Sequence, residues 1–259
     1  MGNCRGNNED NFYLNGIFKA QEVADSPMSL CGAAVETAVA AVCDGMGGEA
    51  FGEYAAWQAV TALAEWSERL RLEEDLDGQV RACVRDMNRR ICAEAARRGC
   101  RMGSTLVLAV LRGEHADIYN IGDSRAYHFS RGELRRLSVD HTAAQALLSM
   151  GLKPSEKGRE HNQLTQYLGI PESELLLEAS HGWAQLGRGD RLLLCSDGLS
   201  DTLEEREIAL VLSDGAPPEV QALRLTRHAE RAGGRDNVTA LVIAAGGTDK
   251  ERVEEGHDH

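Results

Sequence analysis

Short apolar runs bounded by turn residues alternate along this chain with longer stretches in which apolar residues recur at helical spacing. The short runs predict strands. They occupy residues 37–43, 104–111, 114–121, 125–130, 174–181, 190–196 and 237–244. Helical spacing predicts two long adjacent helices and three shorter ones. These occupy residues 49–70, 74–98, 142–150, 204–213 and 217–232.

The segments between these elements are rich in turn residues. An Asn-Gly pair indicates a hairpin over residues 11–18, and a second short hairpin is expected at 131–137. Residues 151–173 carry Gly, Pro, Lys and Glu with little periodicity, and we expect only some helix near 162–168.

The order of the predicted elements indicates an α+β fold. It favours two mostly antiparallel sheets that pack together, with helices covering their outer faces. No linker divides the chain, so we expect a single domain over residues 1–245. The polar segment 246–259 is expected to be a disordered tail.

Composition excludes several classes of protein. The chain has 259 residues and a net charge of −13, which argues against nucleic acid as a partner, because phosphate binding needs a basic face. Seven Cys without a Cys-x-x-Cys spacing indicate a reducing compartment and neither a disulfide framework nor a zinc ribbon. Since we find no signal peptide and no long apolar span, we expect a cytoplasmic protein without membrane contact.

Acidic residues recur at the ends of the predicted strands. Asp44 follows the strand 37–43. Asp123 and Asp197 follow two other strands, and Asp236 precedes the last one. Turn chemistry alone explains any single Asp at such a position. Because the pattern occurs four times, the sequence predicts that these carboxylates share one metal site.

Donor chemistry selects the ion at such a site. Carboxylates and water are hard oxygen ligands that suit Mg²⁺ or Mn²⁺, whereas zinc prefers His and Cys. Like charges gathered without cations would also repel one another. Two such ions about 4 Å apart can share a bridging hydroxide and orient a phosphoryl group for in-line attack. The site therefore predicts hydrolysis of phosphate esters.

Arg5 lies four residues before Glu9, close to the predicted site in sequence. A guanidinium can bind two phosphate oxygens at once. On spacing alone, a surface ion pair explains this Arg equally well.

Eight ordered motifs extend this interpretation. They are Arg-x-x-Asn-Glu-Asp at 5–10, Asp-Gly-Met-Gly-Gly at 44–48, Gly-Ser-Thr-Leu at 103–106, Gly-Asp-Ser-Arg at 122–125, Asp-His-Thr at 140–142, Leu-Thr-Gln-Tyr-Leu-Gly at 164–169, Ser-Asp-Gly-Leu-Ser-Asp at 196–201 and Asp-Asn-Val-Thr at 236–239. With them the chain resembles the metal-dependent protein phosphatases of the 2C class (the PPM family), in their compact bacterial form. Each motif is weak alone, but all eight in this order are highly specific.

The resemblance implies a four-layer αββα sandwich. It also implies hydrolysis of phosphoserine and phosphothreonine by metal-activated water at a centre with two Mn or Mg ions. Asp44 would bridge the two ions, and the Gly45 carbonyl would bind one of them. Asp197 and Asp236 would bind the other.

The resemblance also implies supporting roles for further acids. Glu9 and Asp10 would hold metal-bound waters. Asp123 would hold a third, weaker ion together with Asp197 and Asp201.

The substrate side of the site departs in part from the family pattern. Arg5 would bind the substrate phosphate, and residues 145–173 would form a flap beside the site. Many animal members carry a His general acid where Met46 stands, and Met cannot donate a proton. Many bacterial members have His in place of Glu49, and an Arg is common in place of Gln166.

Two other functions stay open on the sequence. One is a catalytically silent binding module on the same fold, and the other is a phosphatase of different specificity, for sigma-factor partners or small phosphoesters. The retained acids favour an active enzyme. Its expected partners are phosphorylated proteins, including a Ser/Thr protein kinase and its substrates, and we expect a monomer.

Overall fold

Twelve strands and six α-helices form the described part of the chain. The computed structural model describes residues 7–20, 36–47, 51–155, 158–161 and 163–246. The strands are β1 (Asn11–Leu14), β2 (Ile17–Phe18), β3 (Thr37–Cys43), β4 (Gly45–Met46), β5 (Gly103–Ser104), β6 (Leu106–Arg112), β7 (His115–Ile121), β8 (Arg125–Ser130), β9 (Glu133–Arg136), β10 (Ser180–Gln185), β11 (Arg191–Cys195) and β12 (Ala240–Ala244). The helices are α1 (Gly52–Leu72), α2 (Leu76–Arg98), α3 (Ala143–Ser149), α4 (Asp197–Ser200), α5 (Glu205–Leu212) and α6 (Pro218–Ala232).

The strands form two large sheets, and all pairings between the described strands are antiparallel. One sheet has the order β10-β7-β6-β3-β1-β2 and the other the order β12-β11-β8-β9, while β4 and β5 form a separate short ladder. Asn15 (φ 45°) and Gly16 (φ 94°) are both left-handed, as a two-residue hairpin turn requires. This confirms the predicted hairpin at 11–18.

Alternate residues of the central strands face opposite ways, and this alternation sets the layers. In β3, Val39, Ala41 and Cys43 share a core with α1 and α2. Ala38 and Ala40 of the same strand share a second core with the other sheet. Because both faces are buried, the strand has a continuous apolar sequence without polar alternation.

The second sheet buries its outer face against helices. Leu193 and Cys195 of β11 share a core with Ile208 of α5 and Leu225 of α6. The layers are therefore helices, sheet, sheet and helices, which confirms the predicted α+β, four-layer αββα sandwich. No helix in the part of the chain that the structure describes is long and apolar enough to cross a membrane.

Two predictions for the middle of the chain are wrong. The described residues of the expected helix 162–168 are not helical, and a single 3₁₀ turn lies earlier, at Arg159–His161. The strand expected at 174–181 is instead β10, which begins only at Ser180.

Pairing partners explain both errors. A strand forms only where a neighbouring strand can pair with it. The pairing of β10 with β7 starts at Ser180, which lies opposite Asn120 near the end of β7. Leu177 and Ala179, before that point, pack on the helix-side core instead. Likewise, Leu168 forms a bridge with Ser104, which holds the backbone there extended.

The end of the predicted flap is anchored to α2. The Asn88 side chain, which is 2% exposed, donates a hydrogen bond to the Ile170 carbonyl at 2.8 Å. Its Oδ1 accepts one from the Gly169 N–H at 2.7 Å. Residues 169–170 are thus fixed to the helix layer.

Small side chains line the layer between the two sheets. The alanines of that core are Ala38, Ala40, Ala109, Ala116, Ala126 and Ala184. Such side chains leave little room for larger ones, because protein interiors are close-packed.

We therefore expect Ala109→Leu to lower the free energy of unfolding by about 1–3 kcal/mol, since the larger side chain must push the sheets apart. Urea unfolding would measure this change. Ala96→Leu on the exposed face of α2 is the matched control, with an expected change below about 0.5 kcal/mol. An unchanged midpoint for Ala109→Leu would show that the layer is loosely packed.

Candidate metal centre

The register of the first sheet brings three acids to one end of the sandwich. Asn11 pairs with Cys43, so Asp10 and Asp44 leave neighbouring strands side by side. β7 ends at the same end of the sheet, and Asp123 lies in the turn after β7. These three acids therefore lie close together although they are far apart in sequence.

The second sheet adds two more acids at the same end. Cys195 lies opposite both Arg125 and Ala240. Asp197 starts the short helix α4 just after β11 ends at Cys195. Asp236 lies in the loop that leads into β12. The charge of Asp236 acts on both Asp197 and Asp10, so the acids of the two sheets form one cluster.

Burial and mutual repulsion raise the pKa values of these acids. Burial and then the charge of Asp123 raise the pKa of Asp197 to about 7. Burial and then the charge of Asp140 raise the pKa of Asp123 to about 6. Burial, Asp10 and Asp197 raise the pKa of Asp44 well above its ordinary value. The two carboxyls are close enough for the charge of Asp197 to contribute to the raised pKa of Asp44.

Two carboxylate oxygens of the cluster are buried and accept no hydrogen bond from the described protein groups. They are Oδ1 of Asp10 and Oδ1 of Asp197. An ionised oxygen in this position is costly, and a cation would remove the cost. As they stand, no three His, Cys, Asp or Glu side chains in the described residues converge closely enough to hold an ion. The oxygen-only donor set nevertheless fits Mg²⁺ or Mn²⁺, which must compete with protons for these acids.

Two glycines let the loops that carry the acids approach one another. A Cβ on Gly45 would overlap the Gly52 carbonyl and lie 2.6 Å from the Glu9 carbonyl oxygen. A Cβ on Gly198 would overlap the carbonyl oxygen of Asn237. Only glycine fits at either position without moving the neighbouring backbone.

Asp10 joins the N-terminal loop to the second sheet. Its Oδ2 accepts hydrogen bonds from Ser196 Oγ at 2.8 Å and Thr239 Oγ1 at 2.7 Å. Ser196 Oγ in turn accepts a hydrogen bond from the Thr239 N–H at 3.0 Å. One oxygen of Asp10 therefore holds β11 and the residues before β12 together, and only Oδ1 remains for an ion or its waters.

Asn237 places Glu9 beside Asp236. Its Oδ1 accepts a hydrogen bond from the Glu9 N–H at 2.7 Å, and its Nδ2 donates one to the Asn7 carbonyl at 3.0 Å. The Asn237 N–H donates to Asp236 Oδ1 at 2.8 Å. One side chain thus fixes both loops.

Thr105 positions the backbone of Asp44. The Asp44 N–H donates to Thr105 Oγ1 at 2.9 Å, and the Thr105 N–H donates to the Asp44 carbonyl at 2.8 Å. Thr105 Oγ1 also lies 2.6 Å from Ser124 Oγ, next to Asp123. This chain of hydrogen bonds couples the positions of two acids of the cluster.

Arg125 supports the outer part of the cluster. Its guanidinium donates to Asp140 from Nε at 3.2 Å and from Nη2 at 2.8 Å. Nη1 donates to the Ser200 carbonyl at 3.4 Å, and Nη2 lies 3.9 Å from Asp201 Oδ1. The Arg therefore lies between Asp140 and Asp201, and its charge opposes the rise in the pKa of Asp123.

The structure brings together the predicted site residues that it describes. These are Glu9, Asp10, Asp44, Gly45, Asp123, Asp197, Asp201 and Asp236. Arg5 lies outside the described residues, and so do Glu49 and the predicted tail beyond residue 246. The individual ligand roles stay predictions.

Sequence reasoning missed the residues that support the acids. They are Thr105, Ser124, Arg125, Asp140, Ser196, Asn237 and Thr239. All seven lie inside the quoted motifs, and all except Thr105 are acids themselves or lie within three residues of one. Polar side chains next to a buried acid were therefore the available signal.

Comparison with known proteins assigns this chain to a class, the metal-dependent serine/threonine phosphatases. A serine/threonine phosphatase, stp, of Listeria monocytogenes is 31% identical, over 97% of this chain and 95% of that protein. The Mycobacterium tuberculosis phosphatase PstP/Ppp matches with a TM-score of 0.75 and 32% identity, over 95% of both chains. A PstP catalytic domain solved with two manganese ions matches with a TM-score of 0.71 and 32% identity, over 93% of both chains.

The family itself is shown by a sequence profile. The profile described as Protein phosphatase 2C matches residues 28–239, most of the chain. The chain belongs to this family. This confirms the predicted resemblance, the predicted enzyme class and the expected dependence on Mn or Mg.

We expect Gly198→Ala to weaken Mn²⁺ binding at least about tenfold, because the new methyl group must displace the loop that carries Asp236. Titration calorimetry would measure the affinity. Gly187→Ala is the control, since a Cβ there meets nothing closer than 3.6 Å. Equal affinities for the two variants would show that the loop does not position a ligand.

The metal-free chain should lose stability as the pH rises from about 4 to about 7. The pKa of Asp197 rises from 3.8 to about 7 on folding, so the folded chain binds more protons than the unfolded one in this window. Its free energy of unfolding therefore falls with rising pH. Since Mn²⁺ displaces these protons, saturating Mn²⁺ should reverse the trend. Thermal unfolding with a chelator and with Mn²⁺ tests both, and a metal-free melting temperature that climbs with pH would contradict us.

Proposed function

We propose that this chain hydrolyses phosphoserine and phosphothreonine in proteins, with two Mn or Mg ions held by Asp44, the Gly45 carbonyl, Asp197 and Asp236. The observation that carries this proposal is the cluster of acids with raised pKa values and buried oxygens that lack donors. Such a cluster is costly without cations and well suited to them.

Supporting residues complete the proposed centre. Asp123 holds a third, weaker ion with Asp197 and Asp201. Glu9 and Asp10 hold water molecules of the centre. For Asp10, the engagement of Oδ2 with Ser196 and Thr239 supports this role, because it leaves a single oxygen for water.

When bound, the two core ions supply an activated water nucleophile and neutralise charge on the phosphoryl group. The residues of the chain orient that reaction. The Thr105 and Asn237 hydrogen bonds keep the carboxylates in fixed positions, which lowers the cost of reorganisation during the reaction. Arg5, through its motif, is assigned the phosphate oxygens of the substrate.

Protonation of the leaving serine or threonine oxygen falls to water in this proposal. Met46 has no proton to donate. Both nitrogens of His141 are engaged, because Nδ1 accepts from the Gly122 N–H at 3.3 Å and Nε2 lies 2.8 Å from Ser180 Oγ. Burial also lowers the pKa of His141, which favours its neutral form.

The cellular setting belongs to the same proposal. Phosphorylated proteins are the substrates, and a Ser/Thr protein kinase with its targets is the expected source of them. We place the enzyme in the cytoplasm, as a monomer within a bacterial signalling system. The absence of Cys-x-x-Cys spacing in the sequence and the free Cys side chains among the described residues support a reducing compartment.

A phosphopeptide panel with and without Mn²⁺ tests the proposed reaction. We expect Asp44→Asn to lose at least about a thousandfold in turnover, since a lost ion removes several kcal/mol of transition-state stabilisation. Its metal-free form should be at least as stable as the wild type, because one repelling charge is gone. Asp75→Asn, which keeps a good helix cap, is the control and should stay active.

Three results would separate the alternatives. If Asp44→Asn has nearly the activity of the wild type, the proposed function is wrong. A wild-type chain that binds phosphopeptides without cleaving them would be the silent module. Cleavage of small phosphoesters alone would indicate the different specificity.

Asp123→Asn should lose the weakest Mn²⁺ site and most of its turnover on phosphopeptides, while the two tight sites remain. The third ion has fewer carboxylates around it, so it binds more weakly and exchanges more readily. Calorimetric titration counts the sites, and kinetics on one phosphothreonine peptide gives the turnover. A variant that matches the wild type in both would leave Asp123 as a turn residue.

A further inference from the structure

A polar cleft lies at the end of the sandwich opposite the metal centre. β8 begins beside Asp123 and ends at Ser130, and β11 runs back from Arg191 to Cys195. A strand of six residues spans about 20 Å. The cleft, which we call the distal cleft, has a volume of about 940 Å³. It is lined by His128, Ser130, Arg131, Glu133, Arg135, Gln185, Gly187, Arg188, Gly189 and Asp190.

The inner face of the second sheet changes character toward this end. Alternate residues of a strand share a face, and Ala126 and Leu137 face the core between the sheets. Further out on the same face come His128 and Arg135, which lie directly opposite each other. Polar side chains replace the apolar ones there, so the sheets leave an open cleft.

Two edge strands form the walls of the distal cleft. β10 ends the order of the first sheet, and β9 ends that of the second. Gly182 of β10 packs against the backbone of Leu137, the residue after β9. A Cβ on Gly182 would overlap the Leu137 carbonyl oxygen. Arg135 bridges the two strands further out, with Nη2 donating to the Trp183 carbonyl at 3.3 Å. Free strand edges can accept an extended polypeptide through backbone hydrogen bonds.

The floor of the distal cleft is rigid. Asp190 is 8% exposed, and its Oδ2 accepts a hydrogen bond from the Gly187 N–H at 2.8 Å and lies 2.9 Å from His128 Nε2. Ser130 also bonds this carboxylate. The charge of Asp190 is therefore engaged internally rather than offered to a ligand.

Three arginines stand around this floor. Arg131, Arg135 and Arg188 are exposed, and none forms an ion pair with a carboxylate in the part of the chain described. Glu133 is the one other acid that lines the cleft. The cleft therefore concentrates positive charge, although the whole chain has a net charge of −13. The three arginines favour an anionic ligand with several separated charges.

We propose that the distal cleft binds an extended acidic segment of the phosphoprotein substrate, at a distance from the phosphorylated residue. The edge strands supply backbone partners for the segment, and the three arginines pair with its carboxylates. Because the two sites are about 20 Å apart, the acidic segment must lie at least about six residues from the phosphorylated one. The substrate assignment rests on the proposed function, whereas the binding does not.

Fluorescence anisotropy with a labelled ten-residue peptide of Glu and Ser tests the binding directly. A chelator is present, so the result does not depend on catalysis. We expect salt-dependent binding that R131E/R135E/R188E weakens at least about tenfold. R81E/R85E/R101E changes the net charge equally at exposed positions elsewhere and should weaken binding less than about threefold. R131E/R188E leaves the Arg135 bridge intact and should also weaken peptide binding. This double variant serves as the test if the triple variant misfolds.

Kinetics then connects the distal cleft to the substrate. Two phosphothreonine peptides are compared, with and without a Glu-rich segment ten residues away. The wild type should show a lower KM for the acidic one, and R131E/R188E should abolish this difference with kcat unchanged. Turnover of nitrophenyl phosphate should be equal in all variants, because the metal centre is untouched.

Two results would overturn the inference, and a third would overturn only the proposed function. Equal peptide binding by the cleft and control variants would show that the cleft is not a site. Tighter peptide binding after removal of residues 247–259 would show that the acidic end of this chain is the occupant. An inactive chain that still binds the peptide through the arginines would contradict only the proposed function.

Discussion

Repulsion among buried carboxylates is the constraint on which the rest of this structure depends. At one end of the sandwich the charge of Asp123 raises the pKa of Asp197, and the charges of both raise the pKa of Asp44, because water does little to screen them there. Such an arrangement persists only if the fold holds the acids in place. Hydrogen bonds from neighbouring polar residues do so, and cations then convert the repulsion into binding energy.

The cluster is shared between the two sheets, so the packing of the sheets determines the site. Asp10 and Asp44 leave the first sheet, whereas Asp197 follows a strand of the second. Asp10 connects them, because one of its oxygens accepts hydrogen bonds from Ser196 and Thr239. The layer of alanines between the sheets has the same effect over a longer range, since it sets how closely the two halves approach.

The two ends of the sandwich use the same architecture for different chemistry. At one end, strands stop at acids and glycines, and the backbone crowds around a cation site. At the other end, the inner face turns polar at His128 and Arg135, and arginines line a cleft between the edge strands. A substrate that spans both ends would be selected by its phosphorylated residue and by its remote charge.

The sequence by itself determined most of the strands, the two helix pairs and the acids at the strand ends. Strands such as β3 and β11 were predictable because both of their faces are buried, which produces continuous apolar runs. Only the tertiary structure decided where β10 begins and which polar groups hold the acids. Asp10 and Ser196 are 186 residues apart, and their contact depends on sheet register and on the packing of one sheet against the other. Local periodicity carries no information about either, because it reports the environment of a residue and not its partner.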